Sequence, residues 1–188
     1  NTQMNKFIGE SGAPILVTYF PQDEDSTTVD RGLRDIEQLF GKKSPLRYFQ
    51  VANLPLYDFG QINPENTDES QIEDISVNGE CTMLPCTITP KPMDFFIINH
   101  IKMKAIFEVT NVQYDSMKVE GFYRLTYRLH STSEETIENI KKQVTDKHYT
   151  DLNAIGTNKN PIIREKDYIK MRQIEQMVAK MISSYRAL

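Results

Sequence analysis

Between Cys81 and Ser131 the chain reads CTMLPCTITPKPMDFFIINHIKMKAIFEVTNVQYDSMKVEGFYRLTYRLHS. This stretch limits the fold more than any other. Three runs of β-branched and aromatic residues, at 95–98, 105–112 and 121–129, are separated by polar turns and read as an antiparallel meander. In the second run Ile106, Glu108 and Thr110 alternate with Phe107 and Val109. In the third, Phe122, Arg124, Thr126 and Arg128 alternate with Tyr123, Leu125, Tyr127 and Leu129. A period of two places the Tyr-Leu row on a core face and the two arginines on a wet or interfacial face. Pro85, Pro90 and Pro92 hold the entry extended and outside any continuous ladder, because proline has no N–H to donate. Asn78-Gly79, following Ile75-Ser76-Val77, predicts a turn.

Upstream, residues 1–14 are polar and read as an arm, and ILVTYF (15–20), bounded by Pro14 and Pro21, reads as a buried strand. Val29, Leu33, Ile36 and Phe40 recur at helical spacing, with Gly41 placed for a left-handed cap, so a short helix is expected over Asp30–Phe40. A strand follows from Leu46 to Val51. Leu54-Pro55-Leu56-Tyr57 continues it as an edge-like segment. Residues 63–74 are acidic and polar and read as a solvated loop, and Asp68, Glu69, Glu73 and Asp74 lack the calcium-loop spacing with its turn glycine.

After Leu129 the period lengthens to about 3.6. Thr132 and Glu135 stand at capping-box spacing, and Ile137, Ile140, Val144 and His148 form a narrow stripe, predicting a helix to about Tyr149. Gly156 and Pro161 break it. From about Glu165 a second helix carries Met171, Ile174, Val178, Met181, Tyr185 and Leu188 at 3-4-3-4-3, the seam spacing of a helix facing another helix. Met177 and Ile182 widen that seam. It packs either against 132–149 or against another subunit. The expected class is α+β: a β-rich core over 1–131 with an arm and one short helix, then a C-terminal helical hairpin over 132–188. The interface candidates are the six seam residues together with Arg124 and Arg128.

Composition narrows function by exclusion. With 22 basic and 26 acidic residues interspersed, the chain has a net charge of −4 and a pI of about 5.5, which disfavours nucleic acid as the principal ligand. No apolar run is long enough to span a membrane, and no leader pattern opens the sequence. Cys81 and Cys86 are too few for a zinc site, and His100, His130 and His148 lack finger-like spacing. The two cysteines read as reduced thiols in or beside a strand; a disulfide between them needs a sharp turn at Pro85. There is no phosphate loop, dinucleotide fingerprint, nucleophile elbow or HExxH helix. Asp58-Phe59-Gly60 spells a kinase tripeptide without the rest of a kinase. No catalytic residue, cofactor or metal is expected.

Two stretches carry a family likeness. DRGLRDIEQLFGKKSPLRYFQVANLPLYDFG (30–60) is a short helix leading into an SPxRY…xNxPLY strand pair. LPCTITPKPMDFF (84–96) with AIFEVTNVQYDSMKVEGFYRLTYRL (105–129) is similar to a PxPxDFF…LFxVTxV…YYxIxYxL pattern. Together they resemble small structural proteins of tailed-bacteriophage virions, from the neck, tail or baseplate. The resemblance implies a non-enzymatic subunit, assembled in the host cytoplasm into a homo-oligomeric ring that contacts other virion proteins. A cellular adaptor that binds a peptide or protein on the same β surface is the competing expectation, and an enzyme of unrecognised type the third.

Overall fold

The computed structural model describes residues 13–27, 46–60, 63–65, 76–99, 104–117, 120–152 and 161–186. The expected helix over 30–40, most of the N-terminal arm, the acidic positions 68–74, His100 and Leu188 lie outside them. Nine strands follow in chain order: β1 Ile15–Phe20, β2 Tyr48–Leu56, β3 Asn63–Glu65, β4 Ser76–Met83, β5 Phe95–Ile98, β6 Ile106–Met117, β7 Glu120–Ser131, β8 Val144–Thr150 and β9 Ile162–Arg164. Two helices are described, α1 Glu134–Lys142 and α2 Glu165–Arg186. The class is α+β, as the sequence implies.

All nine strands join one sheet in the order β3-β4-β7-β6-β5-β1-β2-β8-β9. Neighbours are antiparallel except β2 and β8, which are parallel. The sheet also returns on itself. Past the end of β2, Tyr57 exchanges both backbone hydrogen bonds with Thr82 of β4 at 2.8 Å, and Gly60 N–H donates to Glu80 O at 3.0 Å. Strands β4, β7, β6, β5, β1 and β2 thereby curl into a six-stranded barrel closed at Tyr57–Thr82, while β3 and the β8–β9 pair extend the sheet beyond it.

Each barrel strand sends alternate residues inward. Val17 and Tyr19, Val51, Leu54 and Leu56, Cys81 and Met83, Phe96 and Ile98, Phe107 and Val109, and Leu125 and Tyr127 form one buried cluster. Aromatic rings dominate it: Phe96 stacks on Phe107 at 5.3 Å, and Tyr127 meets both edge-on at 5.2 and 5.5 Å. The Tyr-Leu row of β7 is the core row, with Leu125 and Tyr127 buried and Arg124 and Arg128 exposed. A second cluster lies on the opposite face of the sheet, where Ile137 and Ile140 of α1 cover Phe20, Tyr48, Phe95 and Ile106.

Asn78-Gly79 is not a turn. β4 runs straight through it, with Gly79 paired to Tyr127. A Cβ on Gly79 would stand 2.4 Å from the Tyr127 hydroxyl, so the missing side chain is what lets this ring lie across the neighbouring strand. Gly121 makes the same room for Tyr114. The dipeptide's turn preference yields to cross-strand packing. In β2, Pro55 pairs with Leu16, and the β8 ladder ends at Ala52, so proline's missing donor falls beyond the parallel pairing. Asn53, at φ 59°, takes the left-handed conformation at the bulge opposite Val17–Tyr19. Asn63–Glu65, expected within a loop, pairs with Ser76–Asn78.

The expected helix to Tyr149 ends at Lys142, and Val144–Thr150 forms β8 instead. Val144 continues the helical stripe past Ile140, but the spacing alone does not hold the segment in a helix. Beyond Ile140, Val, Thr, Tyr and Thr favour extended backbone, and β2 offers an open ladder from Tyr48 to Ala52. The capping box does not form either: the N-cap is Ser133, without a side-chain cap bond. Strands β8 and β9 therefore stand between the two C-terminal helices and continue the sheet of the β core.

Candidate assembly surface

α2 begins directly after β9, and among the described residues its ring and side-chain contacts with the sheet lie in its first turns. The ring of Tyr149 on β8 lies flat on Tyr168 at 4.5 Å and 5°. The Arg172 guanidinium sits 5.9 Å from the Tyr168 centroid, completing a Tyr-Tyr-Arg stack. Tyr149 Oη–H also donates to Glu165 at 3.5 Å, and burial together with that carboxylate raises the Tyr149 pKa. These contacts need pairing across β8 and α2, which a helical reading of 144–149 hides.

Beyond this root the helix leaves the body. Met171 is half-buried, and every described side chain from Arg172 to Tyr185 is exposed. Ile174 is 57% exposed, Val178 48%, Met181 61% and Tyr185 76%; Met177 and Ile182 stand at 60% and 50%. Large apolar side chains normally bury most of their surface, and here six stand exposed along one helix. The expected seam is thus a real helix face lacking an intrachain partner among the described residues. Leu188 lies outside them. Ile169, 49% exposed, lies on the opposite side of the helix from this seam.

Arg124 and Arg128 sit on β7, apart from the contacts of α2 with β8 and β9. Arg124 pairs with Asp115 at 3.2 Å across the β6–β7 ladder. Arg128 donates to Glu108 at 3.0 and 3.2 Å, and His130 Nδ1 lies 3.2 Å from the same carboxylate. Glu108 is nearly buried, so this pair anchors the outer row of β6 and β7 while its arginine stays accessible. Asp58, Glu80, Cys81, Thr82, Phe122 and Arg124 line a shallow hollow of about 200 Å³ at the β4–β7 side.

Nothing among these groups assembles a reaction centre. Cys81 and Cys86 are free, and burial raises both thiols above their ordinary range, away from nucleophilic use. No His, Cys, Asp and Glu cluster with metal-holding geometry occurs among the described residues. No described helix is long and apolar enough to cross a membrane. Among the described residues, the carboxylate moved most by burial, Asp94, is held in a hydrogen-bond network within the fold. Fully buried, it accepts hydrogen bonds from Tyr19 Oη at 2.8 Å, Lys91 N at 2.8 Å and Gln22 N at 3.0 Å, pinning the proline-rich segment to β1.

Residues 2–164 match the model of a family described as "Putative phage head-tail joining protein". The match takes in every described strand and α1, and it stops one residue short of α2. No curated protein and no solved structure matches the chain.

Proposed function

Since the chain belongs to this family of phage head-tail joining proteins, we propose that it is a non-enzymatic structural subunit of a tailed-phage neck. It works by protein–protein contact at the joint between head and tail. The observation that carries this reading is the extent of the family match, which spans the whole barrel with α1, β8 and β9. The surface agrees: ionisable side chains form ion pairs or structural hydrogen bonds, while apolar side chains stand exposed along α2. The subunit joins other virion proteins and further copies of itself in a ring assembled in the host cytoplasm. Its contacts use Met171, Ile174, Val178, Met181, Tyr185 and Leu188 on the C-terminal helix. Arg124 and Arg128 form a second, polar patch.

The test is particle assembly without the protein. Phage grown without this chain should accumulate separate heads and tails in electron micrographs, and purified protein added to the extract should restore joined particles. Joined particles formed in its absence would overturn the reading.

A further inference from the structure

The family match ends at residue 164, so the relationship to head-tail joining proteins does not say what α2 touches. Width and charge do. In heptad register, Met171, Val178 and Tyr185 occupy one seam position and Ile174 and Met181 the other, with Met177 and Ile182 on the two flanks. A two-stranded pair of α2 helices buries the seam and leaves its flanks to charged residues. Here Met177 and Ile182 stand exposed on flanks that also hold Lys170 and Glu175, so the apolar face of α2 is broader than the seam alone.

Charge identifies that surface. Residues 170–188 hold four basic side chains (Lys170, Arg172, Lys180 and Arg186) and one acidic, Glu175, a net of +3. The remainder of the chain holds 18 basic and 25 acidic residues, a net of −7. α2 beyond its first turn is thus opposite in sign to the rest of the chain. A second copy presents to α2 the acidic complement that α2's own position on β8 and β9 keeps out of its reach. α1 carries Glu134, Glu135 and Glu138 exposed, Glu134 lying 3.7 Å from Lys104 and Glu138 2.8 Å from Lys141, so Glu135 is the one of the three without a described ion pair. Nucleic acid fits less well. Phosphate contacts are made by cationic and polar groups, and a face of six exposed apolar side chains has no use for them.

We infer that α2 beyond its Tyr149–Tyr168 root is an arm that docks on the acidic body of a second copy of this chain. The contact is head-to-tail: helix of one subunit on body of the next, which closes into a ring or continues as a filament according to the rotation between neighbours. This rests on the reading of the chain as an assembling subunit and adds its partner and polarity.

The experiment mixes full-length protein at natural abundance with ¹⁵N-labelled protein and treats the mixture with a carbodiimide, which joins lysine amines to carboxylates in direct contact. Expected are mixed-isotope peptides joining Lys170 or Lys180 to Asp or Glu outside 165–188. Self-association should weaken about tenfold on raising salt from about 0.1 M to about 1 M, where screening shortens from about 10 Å to about 3 Å. Mixed-isotope joins confined to Glu175 would mean that α2 pairs with α2, and would overturn the inference. A monomeric chain whose α2 is still needed to restore joined particles would also overturn it, by assigning the helix to a different virion protein. That second result leaves the neck function standing; only joined particles formed without the chain remove it.

Discussion

The barrel and α2 are made of similar residues put to opposite uses. In the barrel, Phe96, Phe107, Leu125 and Tyr127 are enclosed from six strands, and the backbone closes the sheet at Tyr57–Thr82. In α2, Ile174, Met177, Val178, Met181, Ile182 and Tyr185 stand on an amphipathic helix held by one aromatic stack. Burial is complete in the first region within a single subunit. In the second it is deferred. An apolar side chain in the barrel therefore contributes to the stability of the monomer, whereas an exposed one on α2 adds little to it.

Phe96→Ala should break the comparison most severely on the barrel side. It removes a ring that is fully enclosed and packed on Phe107 and Tyr127, costing about 4 kcal/mol of unfolding free energy by denaturant titration. Asp94→Ala comes next, at about 3 kcal/mol, because the Tyr19 hydroxyl and the Gln22 and Lys91 amides lose their acceptor.

Asp94 also gives a pH signature. Burial raises its pKa to about 6, against the partly compensating hydrogen bonds from Lys91, Tyr19 and Gln22. The folded state thus binds this proton more readily than the unfolded chain, whose carboxyl titrates near 4. The Asp94 contribution to stability is greatest below about pH 4 and declines as pH rises through about 6. Unfolding titrations at pH 4.5 and 7 should show that slope, and Asp94→Asn should lack it.

Gly79→Ala is smaller, at about 2 kcal/mol. The new methyl meets the Tyr127 ring, which Phe59, Phe96 and Phe107 prevent from turning aside. Met181→Asp should do least to the fold, within about 0.5 kcal/mol, since that side chain is 61% exposed.

These two regions also differ in how far the sequence discloses them. The period-two alternation of β7 names its core row correctly, because burial on one face of a strand is written directly in the pattern. The α2 seam is equally legible as a helix face. Its exposure among the described residues is not, because periodicity reports which residues share a face and says nothing about what covers it. Val144–Thr150 escapes for a different reason. Val144 and His148 continue a helical stripe, and only the open edge of β2, nearly a hundred residues earlier, turns the segment into a strand. Gly79 is similar: a turn dipeptide is local information, whereas the ring of Tyr127 above it arrives from a strand 48 positions away. The barrel's closure rests on Tyr57 meeting Thr82 after a polar intervening segment, and no strand pattern announces it.

The division between a self-sufficient body and an outward-facing helix is tested most directly with Ile174→Asp/Met181→Asp. Denaturant titration and sedimentation velocity are run on the same preparation. The account predicts unfolding free energy within about 1 kcal/mol of the parent, together with loss of self-association. A variant that unfolds by several kcal/mol, or that assembles like the parent, would contradict it.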